Sequence, residues 1–309
     1  MKKYLILLIL ISSFIFSACD KGPKAAVKGN SSQGVNDIVK AEKPEFTKDS
    51  FPKLDGSTAT IPLSQAIAES VIGLSKEEAE KFIKHNTTDA AYINLFNKSV
   101  DIILVTEPSM EELNMAKIAK VELGIIPVVK EGFVFLVNRE NTVASLTTNQ
   151  IQEIYKGNIK NWKEVGGEDK QILAYQREPN SGSQTLMEQI VMKDMKMEEA
   201  PKAIVTSMEG LINSVAKYDN SDRALGYSVF YYANTMYNKD SIKLLKIDGI
   251  EPTNESISRG KYPFSTGYYA VIRKDEPKDS SARKLIAWLI SPDGQKLAEK
   301  AGYVSIKER

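Results

Sequence analysis

Through most of its length the chain alternates short apolar runs with amphipathic stretches. A run of four to eight apolar residues suits a buried strand, and the stretches between carry apolar residues at helical spacing. That order points to an α/β fold, with strands packed against the helices that connect them. Strands are expected over 101–106, 132–138, 171–176, 224–232, 242–247 and 267–273. Helices are expected over 62–73, 88–98, 110–120, 148–155, 184–193, 208–217, 281–290 and 292–301. Ser109 with Glu112, and Thr147 with Gln150, have the spacing of capping boxes. Gly157 and Gly302 are expected to stop helices. The runs at 132–138 and 267–273 are alike, each followed by a charged residue, and could be the two crossings of a hinge between lobes.

The first residues differ from the rest. Lys2 and Lys3 precede an apolar run from Tyr4 to Phe16 that is short for a membrane span. This is the pattern of a signal peptide over 1–18. The segment Phe16-Ser17-Ala18-Cys19 resembles the lipobox of bacterial lipoproteins, which implies cleavage before Cys19 and a lipid on its thiol. Residues 19–45 are small, polar and lysine-bearing, and are expected to be a flexible tether. The expected location is therefore extracytoplasmic, held to a bacterial membrane by the lipid anchor alone.

Composition excludes several functions. Lysine plus arginine number 41 and aspartate plus glutamate 40, so no basic excess suggests nucleic acid. Cys19 is the single cysteine and His85 the single histidine, which leaves no credible zinc site and no intramolecular disulfide. No Walker A loop, dinucleotide fingerprint or Gly-x-Ser-x-Gly elbow is present. Most familiar enzyme classes are thereby disfavoured, and no metal or cofactor is expected.

Three short segments rich in Ser, Thr and Gly each precede an expected helix. They are Asp55-Gly56-Ser57-Thr58-Ala59-Thr60-Ile61-Pro62, Asn86-Thr87-Thr88-Asp89, and 177–185 (REPNSGSQT). Any one of them alone is most simply an N-cap. Together they supply what a small anion needs, namely free N–H groups at helix starts, hydroxyls, and one guanidinium. Gly182 would let the backbone come close to a ligand.

These motifs, with VDIILVTEPS, NWKEVGG and ALGYSVFYY, resemble the phosphate-binding proteins of bacterial phosphate ABC importers (PstS-like). The resemblance runs from about Leu54 to Val304. It implies the two-lobed type II periplasmic-binding-protein fold, with one lobe over 46–138 plus 263–309 and the other over 139–262. It implies phosphate contacts from Arg177, Ser181, Gly182 and Ser183, from Thr60 and Ile61, and from Thr87 or Thr88. Glu107 is the nearest equivalent of the family's carboxylate, with Asp55 and Asp89 as alternatives. A carboxylate can accept the proton of hydrogen phosphate but only repels sulfate. The implied partners are inorganic phosphate and the permease subunits of an ABC importer, with the chain acting as a monomer. Two other functions stay open: a surface phosphate-ester hydrolase using Ser181 or Ser183, and a binding protein or sensor for another tetrahedral oxyanion.

Overall fold

The computed structural model describes residues 41–193, 195–199, 204–217 and 222–306. The expected signal peptide, Cys19 and the tether up to residue 40 lie outside the described residues.

In chain order the elements are β1 (Leu54–Gly56), α1 (Ile61–Ile72), α2 (Lys76–Phe82), α3 (Thr88–Phe96), β2 (Ile102–Val105), α4 (Met110–Ile118) and β3 (Leu123–Asn138). Next come β4 (Ser145–Leu146), α5 (Thr148–Tyr155), β5 (Leu173–Ala174), β6 (Gln176–Arg177), α6 (Gly182–Leu186), β7 (Ile204–Val205), α7 (Met208–Ala216) and β8 (Ala224–Val229). The chain ends with β9 (Ile242–Leu244), β10 (Lys246–Ile247), α8 (Asn254–Ser258), β11 (Ser265–Arg273), α9 (Ser281–Leu289), α10 (Pro292–Lys300) and β12 (Val304–Ser305).

One mixed sheet organises the fold, in the order β1-β2-β11-β3-β8-β5, with β12 and β9 also paired to β3. β3 is its spine and changes partners midway. Residues 123–132 pair with β11, and residues 133–137 pair with β8. The second crossing lies beside the first, where the Phe133 N–H donates to the Phe264 carbonyl at 2.8 Å. Of the two runs expected as hinge crossings, 267–273 pairs with residues 123–130 rather than with 132–138.

β3 begins nine residues earlier than its apolar run suggests. Gly124 and Pro127 interrupt the hydropathy pattern, and proline lacks the N–H that a central strand uses. Here Pro127 lies opposite Tyr269 at a bulge, where the register slips between Tyr268 and Tyr269. The expected strand over 224–232 stops at Val229, and a π-helical turn, Tyr232–Met236, follows. The expected helix over 184–193 is instead α6 continued as a π-helix, Met187–Met192. β1, α2 and α8 were not foreseen, being too short to show a period.

Other expectations match the structure closely. Both capping boxes form, with Ser109 and Thr147 each accepting from the N–H three residues on. Gly157 and Gly302 adopt φ of 78° and 94°, the left-handed stop that suits glycine. Apolar faces of α1, α5, α7, α9 and α10 pack against the sheet, and Phe133, Phe135, Tyr155 and Tyr227 form an aromatic cluster along β3 and β8. Among the described residues no helix is long and apolar enough to cross a membrane.

Candidate functional site

Four helix starts open on one cavity of about 300 Å³. That is at the small end of the usual range for small-molecule sites, about 300–1,000 Å³. Its lining includes Ser57 and Thr58 after β1, Thr87 and Thr88 at the start of α3, Ser181 to Ser183 at the start of α6, and Thr206 to Glu209 at the start of α7. Ser57, Thr87, Ser181 and Ser207 are all N-caps, each accepting from an N–H of its own first turn. Capping takes one orphan donor at each start, and the remaining N–H groups and the positive dipole ends are left for an anion.

Arg177 forms the charged wall. Its side chain is only 8% exposed. Nε donates to the Val205 carbonyl at 2.9 Å, Nη2 to the Thr206 carbonyl at 3.1 Å, and Nη1 to Ser183 Oγ at 3.1 Å. Its backbone N–H is fixed by Tyr227 OH at 2.9 Å and Gln184 Oε1 at 3.1 Å. Among the described residues no carboxylate forms an ion pair with it. Burial lowers the guanidinium's pKa from its ordinary value. A cation held this rigidly out of water calls for an anionic partner.

Gly182 brings the chain close to the opposite wall. A Cβ there would lie 2.7 Å from Thr88 Oγ1 and 2.9 Å from Thr106 Oγ1. Thr106 is 2% exposed and its hydroxyl has no partner. Three carboxylates also line the cavity, those of Asp89, Glu178 and Glu209. Burial, and then the charge of Glu111, raises the pKa of Asp89. Burial pushes the Tyr232 hydroxyl up to about 12.

Of the residues singled out in the sequence, Thr87, Thr88, Arg177, Ser181, Gly182 and Ser183 all line this cavity. Thr60, Ile61 and Glu107 do not. Thr60 is fully buried behind the first turn, and its hydroxyl lies 2.8 Å from the Leu104 carbonyl and 2.9 Å from that of Ser57. Its single hydrogen is therefore committed to the backbone. Ile61 begins α1, and the loop offers Ser57 and Thr58 in place of this pair. Glu107 is exposed and lies toward Tyr269, while Thr106, one residue earlier, faces the cavity. Alternation along an extended chain puts neighbouring side chains on opposite faces, so a one-residue offset changes the group presented. The contribution of Thr206, Ser207, Tyr232 and Tyr268 was missed. Ser207 ahead of an amphipathic helix was the available signal for the fourth helix start.

A sheet whose spine passes between two sets of partners, with a polar cavity fed by helix starts from both, defines a two-lobed α/β binding protein of the type II periplasmic kind. The chain belongs to the PBP superfamily, since the model of that family's domain matches residues 52–293. The phosphate-binding protein PstS of Bacillus subtilis is 25% identical over 315 residues, covering 99% of this chain and 95% of the relative. The protein of the same name from Borreliella burgdorferi is 24% identical over 82% of this chain and 89% of its own. Among solved structures, one from Clostridium perfringens, described as a phosphate ABC transporter substrate-binding protein with bound phosphate, superposes with a TM-score of 0.66. It is 25% identical and covers 82% of this chain and 98% of its own. An ABC-type phosphate transport receptor from Vibrio cholerae gives a TM-score of 0.61 at 25% identity, over 81% and 98% of the two chains.

Proposed function

We propose that this chain captures inorganic phosphate in the Arg177 cavity and delivers it to an ABC importer. The observation that carries this is the buried guanidinium of Arg177, without a carboxylate ion pair among the described residues and facing hydroxyls and helix starts from three other segments. Phosphate is tetrahedral and carries both charge and, as hydrogen phosphate, a proton. Arg177 would bind two of its oxygens, and the N–H groups and hydroxyls of Thr58, Thr87, Thr88, Ser181, Gly182 and Ser183 the rest. Asp89, an expected alternative to Glu107, lines the cavity and would accept the ligand's proton. The names of the Bacillus, Borreliella, Clostridium and Vibrio proteins support the same ligand.

The lobes of this proposal are residues 46–138 with 263–309, and residues 139–262. They would close about the paired crossings at Phe133 and Phe264. Among the hydrogen bonds that join them outside the cavity, Asn180 Nδ2 donates to Glu111 Oε2 at 2.6 Å, and Gln189 Nε2 to the Pro108 carbonyl at 3.1 Å. In this proposal the chain is an extracytoplasmic monomer, tethered by a lipid on Cys19, and its closed face is read by the importer's permease subunits.

Hydrolysis of a phosphate ester is less well supported. Ser183 Oγ is engaged by Arg177 and Ser181 Oγ by the Gln184 N–H. His85, the single histidine, is engaged with Ser57 and Thr60 rather than with either serine. The test is calorimetry of the full chain with phosphate, sulfate, arsenate and molybdate. Tight binding of phosphate and arsenate with weak binding of sulfate supports the proposal. A chain that ignores phosphate overturns it, and turnover of a chromogenic phosphate ester would favour the enzyme.

A further inference from the structure

The loops that carry Thr58 and Thr88 come from different segments and have no covalent reason to stay in register. What joins them is Asp55, the middle residue of β1, which is 1% exposed. Its Oδ1 accepts from the N–H of Gly56 at 2.7 Å and of Asn86 at 2.8 Å. Its Oδ2 accepts from Asn86 Nδ2 at 2.7 Å and from Asn94 Nδ2 at 2.8 Å. One carboxylate thus ties β1, the loop before α3, and α3 itself. His85 adds a second tie from the same loop, its Nδ1 lying 2.9 Å from the Ser57 carbonyl.

A buried charge is costly unless its lone pairs are filled, and four N–H donors fill the capacity of a carboxylate. Asp55 does not line the cavity, so it is not itself a ligand. A bare carboxylate this close to an anion site would repel the anion, and the four donors turn it into a fastening instead. They leave the next N–H and hydroxyl groups, at Thr87 and Thr88, facing the cavity. Asn94 is the donor that can be removed with least disturbance, since it is half-buried and sits two turns into α3, where alanine is a good helix former.

We infer that Asp55 and Asn94 are positioning residues for anion binding, locking the Ser57–Thr58 turn and the Thr87–Thr88 loop into one rigid half-site. The inference rests on the phosphate reading for its affinity test, but not for its test of loop order.

The experiment uses the full chain, in wild-type, Asn94→Ala, Thr88→Ala and Ser183→Ala forms and the two double variants containing Asn94→Ala. Phosphate titration should find Asn94→Ala about tenfold weaker than wild type, the scale of one lost hydrogen bond to a charged group. Asn94→Ala and Thr88→Ala should be non-additive, because one acts through the other, while Asn94→Ala and Ser183→Ala should add. Amide exchange of the free chain should speed up over 86–90 in Asn94→Ala and stay unchanged over 181–186. Asp55→Asn, which sets an NH₂ group against at least one of the four donors, should reproduce both effects if it folds. Wild-type affinity in Asn94→Ala, or equal additivity in both cycles, would overturn the inference while leaving the phosphate reading intact. If wild type ignores phosphate, the phosphate reading fails, and the exchange measurement alone decides the positioning role: unchanged protection over 86–90 would sink it.

Discussion

Arg177 Nη1 lies 3.1 Å from Ser183 Oγ, so the guanidinium at the end of β6 is oriented by a hydroxyl in the first turn of α6. With Nε and Nη2 spent on the carbonyls of Val205 and Thr206, the fork has one fixed direction. Arg177→Lys keeps the charge but cannot hold three acceptors in one plane. It should weaken phosphate by about 10- to 100-fold, matching the roughly 1.5–3 kcal/mol of a charge-assisted hydrogen bond. Ser183→Ala should weaken it less, since the other two contacts still aim the guanidinium. Calorimetric titration of both variants checks the order.

Gly182 is needed for closeness rather than for an unusual backbone angle. The missing Cβ would meet Thr88 Oγ1 at 2.7 Å and Thr106 Oγ1 at 2.9 Å, across the cavity. Gly182→Ala is therefore expected to prop the two walls apart and weaken phosphate at least about tenfold. At the first position of a helix alanine is favourable, so the melting temperature of the free chain should hold or rise slightly. A fall in melting temperature with unchanged affinity would contradict this account.

Asp89 is the carboxylate to test for selectivity. It lines the cavity, and burial followed by the charge of Glu111 raises its pKa. Hydrogen phosphate can give it a proton, and sulfate can only face it with oxygen. Asp89→Asn should leave phosphate binding weaker and sulfate binding stronger, narrowing the ratio between them by about tenfold. Competition titrations at pH 7 read this directly, and an unchanged ratio removes Asp89 from the role.

Much of this site was legible in the sequence, and the reason is local chemistry. A Ser, Thr or Gly segment ahead of an amphipathic run signals a helix start whatever the tertiary context, and the motif at Arg177 to Ser183 kept its spacing. In the first loop and at the expected carboxylate, Thr60 and Glu107, the cavity is lined instead by the neighbouring residues Thr58 and Thr106. Thr60 and Thr58 are indistinguishable by type, and only the packing of Thr60 against the Leu104 carbonyl decides which one turns inward. Thr106 and Glu107 differ by one step along an extended segment, so their facing depends on where β2 ends. β3 was half-hidden because Pro127 reads as a breaker until its bulge is seen. The tie between Asp55 and Asn94 spans 39 positions in sequence, and no local pattern records it.

The hinge region holds a group with a definite pH signature. Glu131 is 2% exposed on β3, two residues before the strand takes its new partner at Phe133. Its Oε1 accepts from the N–H of Gly132 at 2.9 Å and of Tyr231 at 3.2 Å, while Oε2 has no partner. Burial outweighs these bonds and raises its pKa from 4.5 to about 7. A carboxyl whose pKa is higher folded than unfolded stabilises fully below the unfolded value, and the benefit is lost as pH rises through the folded one. The window is thus pH 4.5 to 7, and the full shift corresponds to roughly 3 kcal/mol. Glu112, also raised to about 7 by burial, acts in the same direction. His85, lowered by burial, acts in the opposite one, its contribution being present above pH 6.5 and lost below. Glu131→Gln keeps an acceptor for the two N–H groups and removes the titration. Denaturant melts at pH 5 and pH 7 should show wild type losing more stability than this variant across the interval, and equal losses in the two proteins would show that Glu131 does not titrate there.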